Sequence, residues 1–329
     1  VALFTLLVLL SFLFFCDYHK IYDLALIAGL AILLIYQAYL LFPYLPFYPV
    51  QSHTTGEKDP EHEISIMVSN VLQFNREAES LLKIVREVKP DLLLCQETNQ
   101  WWEAHLKELE ADYPFRVKEP LDNTYGMLFY SRLQLIDTRI DYLVEQKVPS
   151  LDTRIKLRSG HYIRFRGLHP RPPRPSKLQH STQRDAELIK VGKELRDFKR
   201  PVIVAGDFND VPWSYSTRLF QKISKLLDPR KGRGIFPTFS TNLPFFLRFP
   251  LDQVFHSDHF RVVQIETRRE WGSDHLPYLV KLHYDPVAVN KEAPPEPDGD
   301  DWENAREMEK RAKEELPDHK KSAQHKNDE

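Results

Sequence analysis

The sequence predicts an α/β sandwich, sheet inside and helices outside, set behind an N-terminal membrane anchor. Three patterns predict it. From about Ile64 to His283, short apolar runs alternate with amphipathic helical stretches, as sheet and helix layers built around one core require. Ahead of them, 1–50 is almost free of charge, and it includes a stretch long enough to cross a bilayer. Finally, Asn70, Glu97, His169, Asp207 and Asn209 each follow an apolar run, and open α/β sheets bind ligands at such strand ends.

The elements follow in order. Leu24–Phe42 has no charged residue, and Tyr36, Tyr39, Phe42, Tyr44, Phe47 and Tyr48 gather at its end, as an interfacial aromatic belt would. Val1–Phe15 is apolar but short for a span. The chain opens on Val1 rather than Met, so upstream residues are expected to be missing. Asp17, His19 and Lys20 between the two stretches give no clear positive-inside signal. Pro43, Pro46 and Pro49 make a stiff exit, and 51–63 reads as a polar linker.

The main domain is expected over 64–285. Ile64–Val68 is a strand that ends at Asn70. Glu77–Val88 has Leu81, Leu82, Ile84, Val85 and Val88 at helical spacing, and Pro90 stops it. Asp91–Cys95 is a strand ending at Glu97, and Trp101–Leu109 is helical. Met127–Tyr130, Leu135–Ile140, Arg154–Leu157 and Tyr162–Leu168 read as strands, and Gln183–Phe198 as an amphipathic helix. Pro201–Ala205 is a buried strand running into Gly206-Asp207-Phe208-Asn209. Strands at Gln253–Phe255, Val262–Ile265 and Tyr278–Leu282 close the domain. Residues 286–329 are charged and proline-rich and are expected to be a mostly disordered tail, with Trp302–Leu316, which has almost no apolar face, as the alternative of a solvated or partner-binding helix.

The 329 residues suffice for one large domain with appendages, and 42% hydrophobic with 28% charged residues is an ordinary globular mix. The formal net charge of −2 lacks the basic excess of a general nucleic-acid binder, so any basic surface is local. Cys16 and Cys95 fall in the anchor and in a core strand, and no disulfide is expected.

Singly, the polar residues have ordinary roles. Glu97 would cap a strand, and Gly-Asp-Phe-Asn would make a tight turn. Their joint order carries more. Phosphoester hydrolysis needs a hard cation on oxygen ligands, donors for the phosphoryl oxygens and a positioned water. Asn, Glu, His, Asp-x-Asn, Asp and Asp-His supply every role. The segments Ser69-Asn70-Val71, Leu94-Cys95-Gln96-Glu97-Thr98, Gly167-Leu168-His169-Pro170, Val204-Ala205-Gly206-Asp207-Phe208-Asn209, Pro250-Leu251-Asp252 and Gly272-Ser273-Asp274-His275-Leu276-Pro277 resemble the endonuclease/exonuclease/phosphatase (DNase I-like) superfamily. That superfamily includes abasic-site endonucleases, neutral sphingomyelinases and inositol-polyphosphate phosphatases. The apolar N-terminus followed by Pro-Tyr-x-Pro resembles its membrane-anchored bacterial branch.

The resemblance implies a four-layer α/β sandwich of two packed mixed β-sheets flanked by helices. It implies Mg²⁺ (or Mn²⁺) on Glu97, with Asn70 and Asp274 near the metal. It makes Asp207 and Asn209 the residues that orient the attacking water and the phosphate, or that hold a second metal. It pairs His275 with Asp252 against the phosphoryl group, and makes His169 a second donor or the leaving-group acid. Asn70, His169, Asn209, His275 and Arg171 are then the phosphate contacts. The general base is Asp207 or the Asp252–His275 pair. Of the two Ser-Asp-His tripeptides, Ser257-Asp258-His259 reads as a turn and Ser273-Asp274-His275 as the site. Two positions depart from the family pattern. Leu72 stands where many relatives have an acidic or amide residue, for which Gln73 or Asn75 would compensate, and Gln253 follows Asp252.

Arg154, Arg158, Arg164, Arg166, Arg171, Arg174, Lys177 and Arg184 lie near site segments. Arg164 and Arg166 read as a solvated strand face. Arg171-Pro-Pro-Arg174 puts guanidinium groups close to a phosphate. Trp101, Trp102 and Trp213 are candidates for stacking or packing. The expected function is a metal-dependent phosphodiesterase of the nuclease type, with a lipid or small-molecule phosphoesterase as the alternative and an inactive membrane-bound binding module as the third reading. The expected partners are a phosphate-ester substrate, with nucleic acid as a candidate, and the bilayer, with no obligate protein partner. The expected location is the bacterial inner membrane, with the domain leaning extracytoplasmic.

Overall fold

The computed structural model describes residues 2–57, 59–173, 181–287 and 294–315. Two compact units emerge, one of 1–50 with 230–235, the other of 51–229 with 236–329.

In the first unit, α1 (Ala2–Phe15) and α2 (Ile21–Leu41) run as a hairpin. Gln37 Nε2 donates to Thr5 Oγ1 at 3.1 Å across it, a polar link of the kind that fixes two apolar helices. One helical stretch among the described residues, Ile21–Tyr44, is long and apolar enough to cross a membrane, and Ala2–Phe15 falls short. Arg230–Ile235 belongs to this unit, and Gly232 N donates to Pro43 O at 2.9 Å.

The second unit contains two sheets. The strands are β1 (Glu63–Asn70), β2 (Leu92–Gln96), β3 (Phe115–Glu119), β4 (Met127–Ser131), β5 (Leu135–Asp141), β6 (Ser150–Lys156), β7 (Tyr162–Gly167), β8 (Val202–Asp207), β9 (Asp252–His256), β10 (Phe260–Thr267) and β11 (Tyr278–Tyr284). One sheet has the order β10-β11-β1-β2-β4-β3 and the other β5-β6-β7-β8-β9, and both mix parallel and antiparallel pairs.

Period-two patterning builds the layers. Ile64, Ile66 and Val68 of β1 face Ile203, Ala205, Phe165 and Val254 of the other sheet in the central core. Phe129 stacks on Phe165 at 4.9 Å across that interface. Met67, Leu93, Cys95 and Leu128 turn outward, onto α3 (Ala78–Val88) and α4 (Gln100–His105). Val202, Val204 and Phe255 turn outward onto α5 (Thr182–Arg196) and α6 (Tyr215–Ser224). The result is the four-layer order helix, sheet, sheet, helix.

Two expectations are corrected. Gly299–Glu315 of the supposed disordered tail is a helix, α7, whose Ala305 packs with Ile189, Leu219 and Ile223 of α5 and α6, alongside Trp302 and Met308. Small alanines let the helices approach closely, and Lys193–Glu309 and Lys222–Asp301 ion pairs at 2.6 and 2.7 Å flank the contact. A narrow Ala-based stripe has little hydropathy, so the sequence pattern hid it. The rest of 286–329 divides between Pro286, Val287 and 294–298, which are without regular structure, and 288–293 and 316–329, which lie outside the described residues. The second correction concerns Arg164 and Arg166, which are no solvated face. Arg166 is fully buried against Asp141, Asp152 and Glu194, and Arg164 pairs with Asp152 and Glu194.

A candidate phosphoryl site at the strand ends

The sequence-predicted residues meet where strands of both sheets end. In the register of β1 and β2, Asn70 lies beside Gln96. In that of β8 and β9, Asp207 lies opposite Asp252. Two carboxylates directly opposite one another destabilise a strand pair, so their placement calls for a use.

Asp207 is the hub. Asn70 Nδ2 donates to Asp207 Oδ2 at 3.0 Å and to Glu97 Oε1 at 2.9 Å, which ties β1 to β2 and β8. Asn209 N donates to Asp207 Oδ1 at 2.9 Å. His169 Nε2 and His275 Nε2 lie 3.8 and 3.7 Å from Asp207 Oδ2. On its other side, His275 Nδ1 is 2.8 Å from the fully buried Asp252 Oδ2. Asp274 adjoins His275 in the β10–β11 connection, and Ser273 Oγ lies 3.5 Å from its Oδ1. Burial opposes a charge on His275, but Asp252, Asp207 and Asp274 outweigh it and push its pKa up to about 10.

Local backbone supports this geometry. Gly206 has φ +148°, and a Cβ there would meet Leu168 O at 1.8 Å, so only glycine lets the β7 and β8 ends approach. Glu97 and Asn209 sit at φ 60° and 50°. Asn tolerates that region, but Glu does so rarely, and such strain clusters at functional sites.

Several contributors have weak sequence signals. Gln96 clamps the two sheets, its Nε2 donating to Leu168 O at 2.7 Å and its Oε1 accepting from Asp207 N at 2.7 Å. Ser273 Oγ donates to Asn70 O at 2.8 Å and accepts from His275 N at 3.1 Å. Both residues stand inside the quoted motifs, beside the residues they position. Thr238 Oγ1 accepts from Asp252 N at 3.2 Å, and no local pattern marks it.

Other expectations resolve differently. Neither Gln73 nor Asn75 offers its side chain to Glu97. Gln73 bonds to Asp122 O and Thr124 N, and Asn75 to Val71 O and Glu77 N. It is the Gln73 backbone N–H that reaches Glu97 Oε2, at 3.3 Å. Arg171 is held by Glu145 at 2.8 Å. Arg154 pairs with Asp137, Arg158 with Asp91, and Arg184 with Asp185 and Asp210. Arg174 and Lys177 lie outside the described residues. Trp102 is buried against Trp271, and Trp101 stacks on His105. Ser257-Asp258-His259 is the β9–β10 turn.

The donor set suits a divalent cation. Glu97, Asp207, Asp252 and Asp274 gather here, and no Lys or Arg pairs with any of them among the described residues. A phosphate could not enter such a site until the negative charge was offset. Among the described residues no group of three or more His, Cys, Asp or Glu side chains is arranged to hold a metal ion by itself. Mg²⁺ is usually held by one or two carboxylates, with waters and substrate phosphate completing the shell.

Comparisons with known proteins identify the family and the fold. The profile of the endonuclease/exonuclease/phosphatase family matches residues 67–275. UPF0294 proteins from two strains of Vibrio cholerae serotype O1 are 26% identical over 234 residues, covering 68% of this chain and 79% of theirs. D. rerio TDP2, solved with a single-strand DNA product, superposes with a TM-score of 0.56 at 18% identity, over 67% of this chain and 99% of that one. The human nocturnin catalytic domain with bound sulfate gives a TM-score of 0.55 at 18% identity, over 69% and 96%.

Proposed function

Because the chain belongs to the endonuclease/exonuclease/phosphatase family, we propose that it is a divalent-metal-dependent phosphodiesterase, anchored in a membrane by Ile21–Tyr44. The family supports hydrolysis of phosphoester bonds. The observation that carries the finer reading is the convergence of His169 and His275 on Asp207 among carboxylates that no Lys or Arg among the described residues neutralises.

Glu97 would hold Mg²⁺ or Mn²⁺, with Asp274 and Asn70 beside it. The bound cation supplies Lewis-acid polarisation of the phosphoryl group and charge neutralisation. The chain's own residues do the rest. Asp207, oriented by Asn70 and Asn209 N, positions the attacking water and accepts its proton as the new O–P bond forms. His275 is kept charged by Asp252 and donates to a phosphoryl oxygen. His169 protonates the leaving oxygen as the old P–O bond breaks.

The test uses the full chain with Mg²⁺ on plasmid DNA, single-stranded DNA, sphingomyelin and inositol phosphates. Glu97→Ala and His275→Ala are each expected to lower turnover by about 10²–10⁴-fold. Full activity in both variants would refute the site. No turnover and no Mg²⁺ binding by the parent chain would favour a binding module instead. Nucleic acid is the substrate suggested by the TDP2 complex. One structural observation, an exposed apolar loop beside His275, favours a lipid.

A further inference from the structure

The connection between α6 and β9 ends in Thr241-Asn242-Leu243-Pro244-Phe245-Phe246-Leu247-Arg248-Phe249. Its base is fastened to the catalytic loop. Phe239 forms backbone bridges to both His275 and Phe249, and its ring lies 4.8 Å from the His275 imidazole. Thr241 N donates to Asp274 O at 2.9 Å, and Thr241 Oγ1 to Ser273 O at 3.0 Å. Its tip is apolar and open to solvent. Phe245 is 66% and Phe246 71% exposed, and Leu243, Leu247 and Phe249 are exposed too. Phe74, 73% exposed, lies in another loop that touches the same catalytic segment, since Gly272 packs on Asn75 and Glu77.

Exposed apolar side chains scattered singly are ordinary, but a contiguous group at a site's edge marks an interaction surface. This loop is also braced to keep that face outward. Arg248 turns back, its Nε donating to Leu243 O at 2.8 Å and its Nη2 to Thr241 O at 2.9 Å, and its charge is met by Glu270 at 2.5 Å.

We infer that Leu243–Phe249, with Phe74, is a bilayer-docking surface that sets the catalytic residues against lipid headgroups, so that the phosphate ester cleaved is membrane-resident. The inference rests on the phosphodiesterase reading above. Three observations choose the bilayer as occupant. A nucleic-acid groove needs cations along its backbone track, and the only cation in this loop is committed to Glu270. Leucine and phenylalanine without Tyr or Trp hydroxyl and indole groups suit acyl chains, and two of the five loop side chains cannot stack on a base. The same chain also carries a helix apolar and long enough to cross a bilayer, which would keep the loop at a membrane surface.

The full chain is tested one copy per nanodisc of phosphatidylcholine, phosphatidylglycerol and sphingomyelin. A nitroxide is placed at 246 by Phe246→Cys in a Cys16→Ser background, with Cys95 buried and unreactive. Dissolved oxygen is expected to relax the label more than a water-soluble nickel chelate does, as it would at the headgroup–acyl boundary. In parallel, Phe245→Ser with Phe246→Ser is expected to slow release of lipid headgroup phosphate by about tenfold or more. Hydrolysis of a soluble aryl phosphodiester should stay unchanged, which also shows that the variant folds. A label relaxed mainly by the chelate would overturn the inference, as would an unchanged lipid rate. Loss confined to a single-stranded oligonucleotide would overturn it in favour of a base-stacking platform. An immersed label with no turnover of any phosphate ester would leave the docking surface standing and remove the phosphodiesterase reading.

Discussion

The second unit holds two clusters of charge, each with a buried centre, and they are balanced differently. On the second sheet, Arg139, Arg164 and Arg166 interleave with Asp141, Asp152 and Glu194, so that each cation meets carboxylates and each carboxylate meets cations. At the strand ends, Glu97, Asp207, Asp252 and Asp274 meet histidines, amides and hydroxyls, and no Lys or Arg among the described residues. Removing charge from water is costly unless it is matched. The balanced cluster therefore behaves as architecture. The unbalanced one leaves negative charge that the proposed divalent cation would offset. Which carboxylates are matched is decided by strand packing, since the cations that meet Asp152 come from β5 and β7.

The largest expected effect comes from breaking the balanced cluster. Arg166→Met would remove the one fully buried cation, leaving Asp141, Asp152 and Glu194 only Arg139 and Arg164, and is expected to cost about 3–5 kcal/mol of stability. Chemical denaturation would measure it, and turnover per folded molecule should persist. A loss below about 1 kcal/mol would place this cluster with weak surface pairs instead.

Glu187 on α5 tests the next level. It is buried, with Ser150 Oγ donating to it at 2.6 Å. Burial raises its pKa from 4.5 to about 7, against the lowering influence of Ser150 and Arg166. The folded chain then holds a proton that the unfolded chain releases at lower pH. The contribution to stability is complete below about pH 4.5 and is lost as pH rises towards 7, a change of about 3 kcal/mol. Unfolding curves at several pH values, compared with Glu187→Gln, would show this slope in the parent only. Equal slopes would mean that the neighbouring arginines already hold Glu187 ionised.

The smallest effect on stability is expected at the unbalanced cluster. Asp274→Asn removes one of four clustered carboxylates, at the cost of one attraction to His275, and should leave stability unchanged or raise it by up to about 1 kcal/mol, while turnover falls by about 10²-fold. A clear loss of stability would show that Asp274 is structural and that the two clusters do not differ in kind.

Much of the fold was legible because it is written in local periodicity. Short apolar runs gave β1, β2, β4, β7 and β8, and helical spacing gave α3 and α5. β3 was missed because its five residues, Phe115–Glu119, are only half-buried at a sheet edge and alternate with Arg and Lys. α6 was missed because Tyr215–Ser224 is short and mostly polar, although Ser214 caps it by accepting from Thr217 N at 3.1 Å. α7 read as a solvated tail because only Ala305, Trp302 and Met308 carry its contact.

The sequence by itself determined the alternation of strand and helix, the apolar stretch that could enter a membrane, and the order in which polar residues follow strands. Those properties depend on neighbours a few positions apart. Tertiary structure alone decided which charges are matched, that Gln96 and Ser273 brace the site, that Arg230–Ile235 joins the anchor's unit, and that an apolar loop ends beside His275. These depend on groups tens to hundreds of residues apart, brought together only when the two sheets pack and their strand ends meet.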